Sequence, residues 1–174
     1  LRTEPRPQEA IPSTGFSAIS LVCEKLSGFR LLEHLEYSPD RELERAARGP
    51  SWLKEARIAD CVAETLRRGE QVRGLYQLIA FVVMPNHVHI LITPKVPAPK
   101  ITQYVKGSSA KLANELLGRT GQPTWQGEAF DRWVRSREER GKIVRHVELN
   151  PVHANLVEEP RMFRYSSAFQ ENTD

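Results

Sequence analysis

Gly74-Leu75-Tyr76-Gln77-Leu78-Ile79-Ala80-Phe81-Val82-Val83-Met84-Pro85-Asn86-His87-Val88-His89-Ile90-Leu91-Ile92-Thr93-Pro94 is the stretch that decides the fold. It holds no Lys, Arg, Asp or Glu, and as one helix it would reach across a bilayer. Its interior rejects that. Pro85-Asn86 is a turn signal at the middle, two histidines follow, and the flanks are β-branched and aromatic. Two antiparallel strands are therefore expected, Tyr76 to Val83 and His87 to Thr93. Alternation along the second puts Val88, Ile90 and Ile92 on one face and His87, His89, Leu91 and Thr93 on the other.

Outward from this hairpin the pattern turns helical. Ile58, Val62 and Leu66, with Ala59 and Ala63 beside them, form one apolar stripe, and Gly69 is a natural stop after Arg67-Arg68. On the other side Pro94, Pro97 and Pro99 end the strand, and Ile101, Val105, Leu112 and Leu116 mark a long helix closing near Gly118. Phe130 to Val134 reads as a further strand. Glu138 to Asn150 reads as a helix with the stripe Ile143, Val144 and Val147, ended by Pro151. Residues 1–46 sustain no comparable period and carry Pro5, Pro7 and Pro12, so they are read as an arm, partly disordered, and 47–174 as the domain. Within that opening, Phe16 to Val22 is a candidate short strand and Asp40 to Arg48 a candidate polar helix.

The 174 residues suit one domain, and 40% hydrophobic against 27% charged residues is ordinary globular usage. Net charge is only +3, but residues 95–145 hold eleven Lys/Arg against five Asp/Glu, while residues 1–60 hold nine against ten. An anionic partner such as nucleic acid is plausible for the second half. Two cysteines, Cys23 and Cys61, are too sparse for a disulfide-stapled secreted domain, so a reducing cytoplasm is expected, with no leader peptide and no membrane partner.

The chemistry sits at His87-Val88-His89. Two imidazoles two residues apart on a strand project to one side with Cα atoms about 6.5–7 Å apart, close enough to converge on one divalent ion. The plainer alternative is a pair of satisfied sheet histidines. A third ligand would strengthen the first reading, and the best candidate is Asn150, whose other explanation is a helix C-terminal cap before Pro151. Two imidazoles and one amide oxygen suit Mg²⁺ or Mn²⁺ handling a phosphodiester better than a closed zinc site.

The run Ala80-Phe81-Val82-Val83-Met84-Pro85-Asn86-His87-Val88-His89-Ile90-Leu91 resembles the His-hydrophobic-His motif of the single-tyrosine HUH transposases, particularly the group associated with repetitive extragenic palindromes. Gly49-Pro50-Ser51-Trp52-Leu53-Lys54 with Arg57-Ile58-Ala59, Ile101 to Gly107, Thr124-Trp125-Gln126 and Phe130-Asp131-Arg132 are similar to that family in order and spacing. So are Val147-Glu148-Leu149-Asn150-Pro151-Val152, Leu156-Val157 and Tyr165-Ser166-Ser167-Ala168, and the resemblance covers about residues 47–169.

The resemblance implies an α+β fold, a ferredoxin-like antiparallel sheet with helices packed on it, in a homodimer. It implies that His87, His89 and Asn150 hold a divalent cation, Mg²⁺ or Mn²⁺, and that the partner is single-stranded or hairpin DNA. It also implies a tyrosine one helical turn before the third ligand, attacking the scissile phosphate to leave a 5′-phosphotyrosine and a free 3′-OH. This chain departs from the pattern at that point: His146 occupies the nucleophile position. Tyr104, Tyr165, Tyr76 and Tyr37 offer no obvious replacement. His146 is thus either an inert helix residue or a substitute phosphoryl acceptor, and the chain either an active DNA-processing enzyme or a catalytically silent DNA-binding module derived from one. The family's first strand is a second departure, since nothing before Gly49 matches it well.

For DNA contact, Lys106, Lys111, Arg119, Arg132, Arg135, Arg137 and Arg145 can neutralise phosphates, and Trp125 and Trp133 can stack on unpaired bases. The alternative places the tryptophans in the core and leaves the basic residues solvated.

Overall fold

Met84-Pro85-Asn86 reverses the chain, and Met84 N–H donates to the His87 carbonyl at 2.8 Å to close the turn. The computed structural model describes residues 18–24, 51–125, 130–134 and 136–171, and in it the hairpin is the frame of an α+β domain. Strand β1 is Ala18–Glu24. A short 3-10 turn, Trp52–Lys54, precedes helix α1, Ala56–Gln71. Strands β2 (Tyr76–Val83) and β3 (His87–Pro94) follow, then helix α2 (Ala98–Leu116), strand β4 (Phe130–Val134) and helix α3 (Arg137–His153). The asserted polar helix at Asp40 to Arg48 lies outside the described residues.

The four strands form one sheet in the order β2-β3-β1-β4. Its direction corrects the antiparallel expectation. The hairpin β2–β3 is antiparallel, but β1 runs parallel to both β3 and β4, so the sheet is mixed. β1 bridges two edges that themselves run the same way, so either direction would pair its backbone on both sides. No tight hairpin links it to a neighbour, which is what would have imposed antiparallel geometry. The strand expected within Phe16 to Val22 is observed over Ala18–Glu24 and runs two residues beyond its expected end.

Each face of the sheet has its own core. Val88, Ile90 and Ile92 pack with Ile19, Leu21 and Cys23 of β1, Ile58, Val62 and Leu66 of α1, and Ile101 and Val105 of α2. Leu91 packs instead with Ala80 and Val82 of β2, Val134 of β4, and Ile143 and Val147 of α3. Thus among the described residues α1 and α2 share one face, and α3 covers the other with Phe163 of the C-terminal segment beside it. An irregularity between Leu78 and Ala80 adjusts β2 to this division, because Ile79 and Ala80 both turn to the α3 side.

Three helix boundaries differ from expectation for identifiable reasons. Gly69 does not stop α1 but lies inside it, against Tyr76, whose hydroxyl donates to the Leu66 carbonyl at 2.8 Å. A Cβ at position 69 would overlap the tyrosine ring, with Cζ at 2.6 Å. Pro99 sits in the first turn of α2, where a missing N–H costs nothing. Pro151 falls within the last turn of α3 rather than ending it. Ser136 caps α3, its hydroxyl accepting from Glu139 N–H at 3.1 Å. The expected result for Gly69→Ala is therefore a loss of about 1–3 kcal/mol from overpacking, against a helix-propensity gain of about 1 kcal/mol or less, read as a lower urea midpoint.

The C-terminal segment guards the outer edge of β2. Val83 N–H donates to the Tyr165 carbonyl at 2.8 Å, and Ser167 N–H to that of Phe81 at 2.9 Å. The Ser167 hydroxyl accepts from Phe81 N–H at 3.1 Å and lies 3.3 Å from Glu148 Oε1 of α3. Tail, β2 and α3 are thereby fastened together. No helix among the described residues is long and apolar enough to cross a membrane.

Candidate metal centre

Because β3 lies between β2 and β1, its side chains are enclosed on both flanks. On the α3 face this encloses His87 and His89, which are 6% and 7% exposed. Their rings meet edge to face with centroids 4.7 Å apart. The helix laid over them brings His146 to 5.9 Å from the His89 ring. Asn150 follows one turn later on α3 and is buried. The i, i+4 spacing places both on one side of the helix.

One nitrogen in this cluster is unusual. His87 Nδ1 lies 2.8 Å from Asn86 Oδ1, an acceptor, so Nδ1 carries the proton and Nε2 presents a lone pair. Nε2 is buried and has no hydrogen-bond partner. A buried acceptor without a donor is costly for a structural histidine, whereas an imidazole whose far nitrogen is held by a carbonyl is how metal-binding histidines are oriented. Among the described residues no three His, Cys, Asp or Glu side chains stand at metal-ligand spacing. The donors that remain are two imidazoles on β3, with Asn150 buried on the helix above, and a divalent ion held by them would need water or phosphate oxygen to complete its shell.

Electrostatics keep these imidazoles neutral. Burial first, and then His146, bring His87 down to about 4. Burial, His87 and His146 hold His89 well below the usual histidine range. His146 is lowered by burial and by His153. Neutral imidazole is the ligating form. The folded His87 value lies below the unfolded one of 6.5, so as pH falls the unfolded chain takes the proton first. Stability from this group is full above pH 6.5 and is lost between 6.5 and about 4, a difference of about 3 kcal/mol. Urea midpoints of metal-free protein at pH 7 and pH 4.5 should show it, with a shallower fall in His87→Gln.

The basic and aromatic residues singled out in the sequence do not gather here. Lys106 and Lys111 belong to α2, which packs on the opposite face of the sheet. Arg119 is engaged on that side too, its guanidinium 4.1 Å from the Trp52 ring centroid and its Nε donating to Gln122 Oε1 at 3.0 Å. Trp125 is a core residue rather than a stacking platform: it is buried, and its indole N–H donates to Ser109 Oγ at 2.9 Å. Ser109, Asn114 and Thr124 surround it in a buried polar network, with Thr124 Oγ1 donating to Asn114 Oδ1 at 2.9 Å. Arg132 lies on β4 without a described side chain, and Arg135 lies outside the described residues. The exposed Arg137 and Arg145 ride on α3 itself, the helix laid over the imidazole face.

The described tyrosines belong to the other core. Tyr76 is in the α1/α2 core, Tyr104 and Tyr165 pack against that same core, and Tyr37 lies outside the described residues. His146, expected either as an inert helix residue or as a substitute acceptor, is the α3 imidazole whose ring stands 5.9 Å from that of His89. The signal for this was its spacing from Asn150.

Comparison with known proteins adds one finding. Residues 53–136, just under half of the chain, match the family model described as transposase, IS200 like. That match takes in both histidines of β3 and stops where α3 begins. No curated protein and no solved structure matches the chain.

Proposed function

We propose, from the likeness of residues 53–136 to IS200-like transposases, that this chain binds single-stranded or hairpin DNA and processes its strands with a divalent ion. Among such proteins its motif order is similar to the group associated with repetitive extragenic palindromes. The observation that carries the reading is the buried His87–His89 pair with an unpartnered Nε2. His87, His89 and Asn150 would hold Mg²⁺ or Mn²⁺, which when bound polarises a scissile phosphate. Asn86 fixes the tautomer of His87, and the Leu91, Val82 and Val147 side chains exclude water around the pair. Arg137 and Arg145 on α3 attract the phosphate backbone towards that face. In this reading residues 47–174 form the DNA-processing domain, which works as a cytoplasmic homodimer, and the arm contributes β1.

A second reading, binding without cleavage, is favoured by one specific observation: an imidazole at 146 where the resemblance places an attacking tyrosine. The test incubates the protein with Mn²⁺ and labelled hairpin oligonucleotides. Metal-dependent strand cleavage supports the first reading. Retained binding with no product supports the second, and absence of both sinks the DNA assignment.

A further inference from the structure

We propose that Trp52 and Arg119 form a phosphate-binding site on the side of the sheet away from the histidines. The pair stands where the 3-10 turn before α1 meets the loop after α2. The Arg119 guanidinium carbon lies 4.1 Å from the Trp52 ring centroid, a stacked cation–π contact. Trp52 is 4% exposed, and its indole Nε1 is shielded from solvent with no acceptor. Arg119 Nη1 is in the same condition. Two donors, one of them cationic, are thus left without an acceptor inside a single contact. A buried donor without an acceptor is costly, and two of them side by side call for one oxygen-bearing anion.

The donors present select phosphate. Arg119 Nε already donates to Gln122 Oε1 at 3.0 Å, which leaves the two terminal nitrogens as the fork on offer. That fork matches two oxygens of a phosphate. Stacking puts the indole N–H and the fork in separate layers. A tetrahedral oxyanion has a further oxygen outside the plane of those two, which a planar carboxylate lacks. The loop that carries the arginine is firmly held: Arg119 N–H donates to the Asn114 carbonyl at 2.8 Å, and Gln122 N–H to the Arg119 carbonyl at 3.0 Å. Asn114 Nδ2 donates in turn to the Gln122 carbonyl at 2.5 Å, and its Oδ1 accepts from Thr124 Oγ1 at 2.9 Å. Such a loop presents its cation without an ordering cost on binding. Arg119 as a whole is only partly buried, so a phosphate enters from the solvent side by a small rotation of the guanidinium end. A nucleic-acid backbone and a free phosphate both supply that group, and the site stands independently of any metal at the histidines.

The experiment uses the full chain labelled with heavy nitrogen. Inorganic phosphate is titrated in, with sodium chloride at matched ionic strength as the control, and the indole N–H signals are followed by NMR. Three tryptophans give three signals, and the one absent from Trp52→Phe belongs to Trp52. Phosphate should move that signal downfield to saturation and leave the Trp125 signal, already bonded to Ser109, in place. Arg119→Gln should weaken phosphate binding at least about tenfold, the size of a lost charged hydrogen-bonding group. Should Arg119→Gln fail to unfold cooperatively, Arg119→Lys takes its place, and it too should weaken binding, because it keeps the charge and loses the fork. A hairpin oligonucleotide is titrated in a second arm. Movement of the same signal, reversed by phosphate, assigns the site to a nucleic-acid backbone, whereas movement with phosphate alone assigns it to a free phosphate. A Trp52 signal that moves with neither, or that moves equally with chloride or in the Arg119 variant, overturns the proposal, whether or not strand cleavage is found at the histidines.

Discussion

With Mn²⁺ and a labelled hairpin oligonucleotide, the His146→Tyr variant is expected to form an acid-stable covalent adduct with DNA at least about a hundredfold above the parent chain. Position 146 lies one turn before Asn150 on α3, and its side chain already faces His89 at 5.9 Å between ring centroids. A phenol placed there reaches the same region of the site with an oxygen nucleophile, and its phosphodiester survives acid. A phosphohistidine, the only adduct the parent could form at this position, has a P–N bond that acid hydrolyses. Loss of a nucleophile elsewhere costs on the order of 10⁶ in turnover, so even partial restoration is measurable. Denaturing gel analysis after acid treatment provides the reading. Equal adduct in parent and variant would mean that position 146 is not where the strand is attacked.

Leu21→Ala is expected to cost about 2–5 kcal/mol, a large share of the stability of a domain this size. Leu21 is 2% exposed at the middle of β1 and packs into the core shared with α1 and α2. Its backbone pairs with Ile90 on one side and Asp131 on the other, so the strand cannot shift to refill the cavity without breaking two ladders. Because Ser20 on the same strand stands opposite His89, loosening β1 also loosens the site. Urea unfolding should show a lowered midpoint, and Zn²⁺ or Mn²⁺ should raise it by less than in the parent. A change under about 0.5 kcal/mol, the size typical of surface substitutions, would place Leu21 outside the core and contradict the central position of β1.

The hairpin and its two faces were legible because alternation and a Pro-Asn turn are local signals. The pairing of His87 with His89 was legible for the same reason. The helices were readable from their stripes, but a stripe says which side of a helix is buried and not which face of a sheet it covers. Lys106, Lys111 and Arg119 were for that reason named as DNA contacts with no sign that α2 and the loop after it lie on the far side of the sheet from the histidines. Gly69 misled because a close approach to Tyr76 and a helix stop select the same residue. The direction of β1 is not a local property at all, since it depends on a connection and on edges formed far along the chain.

That last point governs how the molecule folds. β2 and β3 are joined by three residues, and such a hairpin closes in roughly 1–10 μs. β1 instead finds partners in β3 and β4, across long stretches of intervening chain, and non-local parallel pairing is slow. Until it inserts, the inner edge of β3 is an unpaired template for another chain. The two histidines stand on that strand, so a metal site built on them would be completed only with the slow step. A metal that binds there during refolding would report the last event of folding rather than the first.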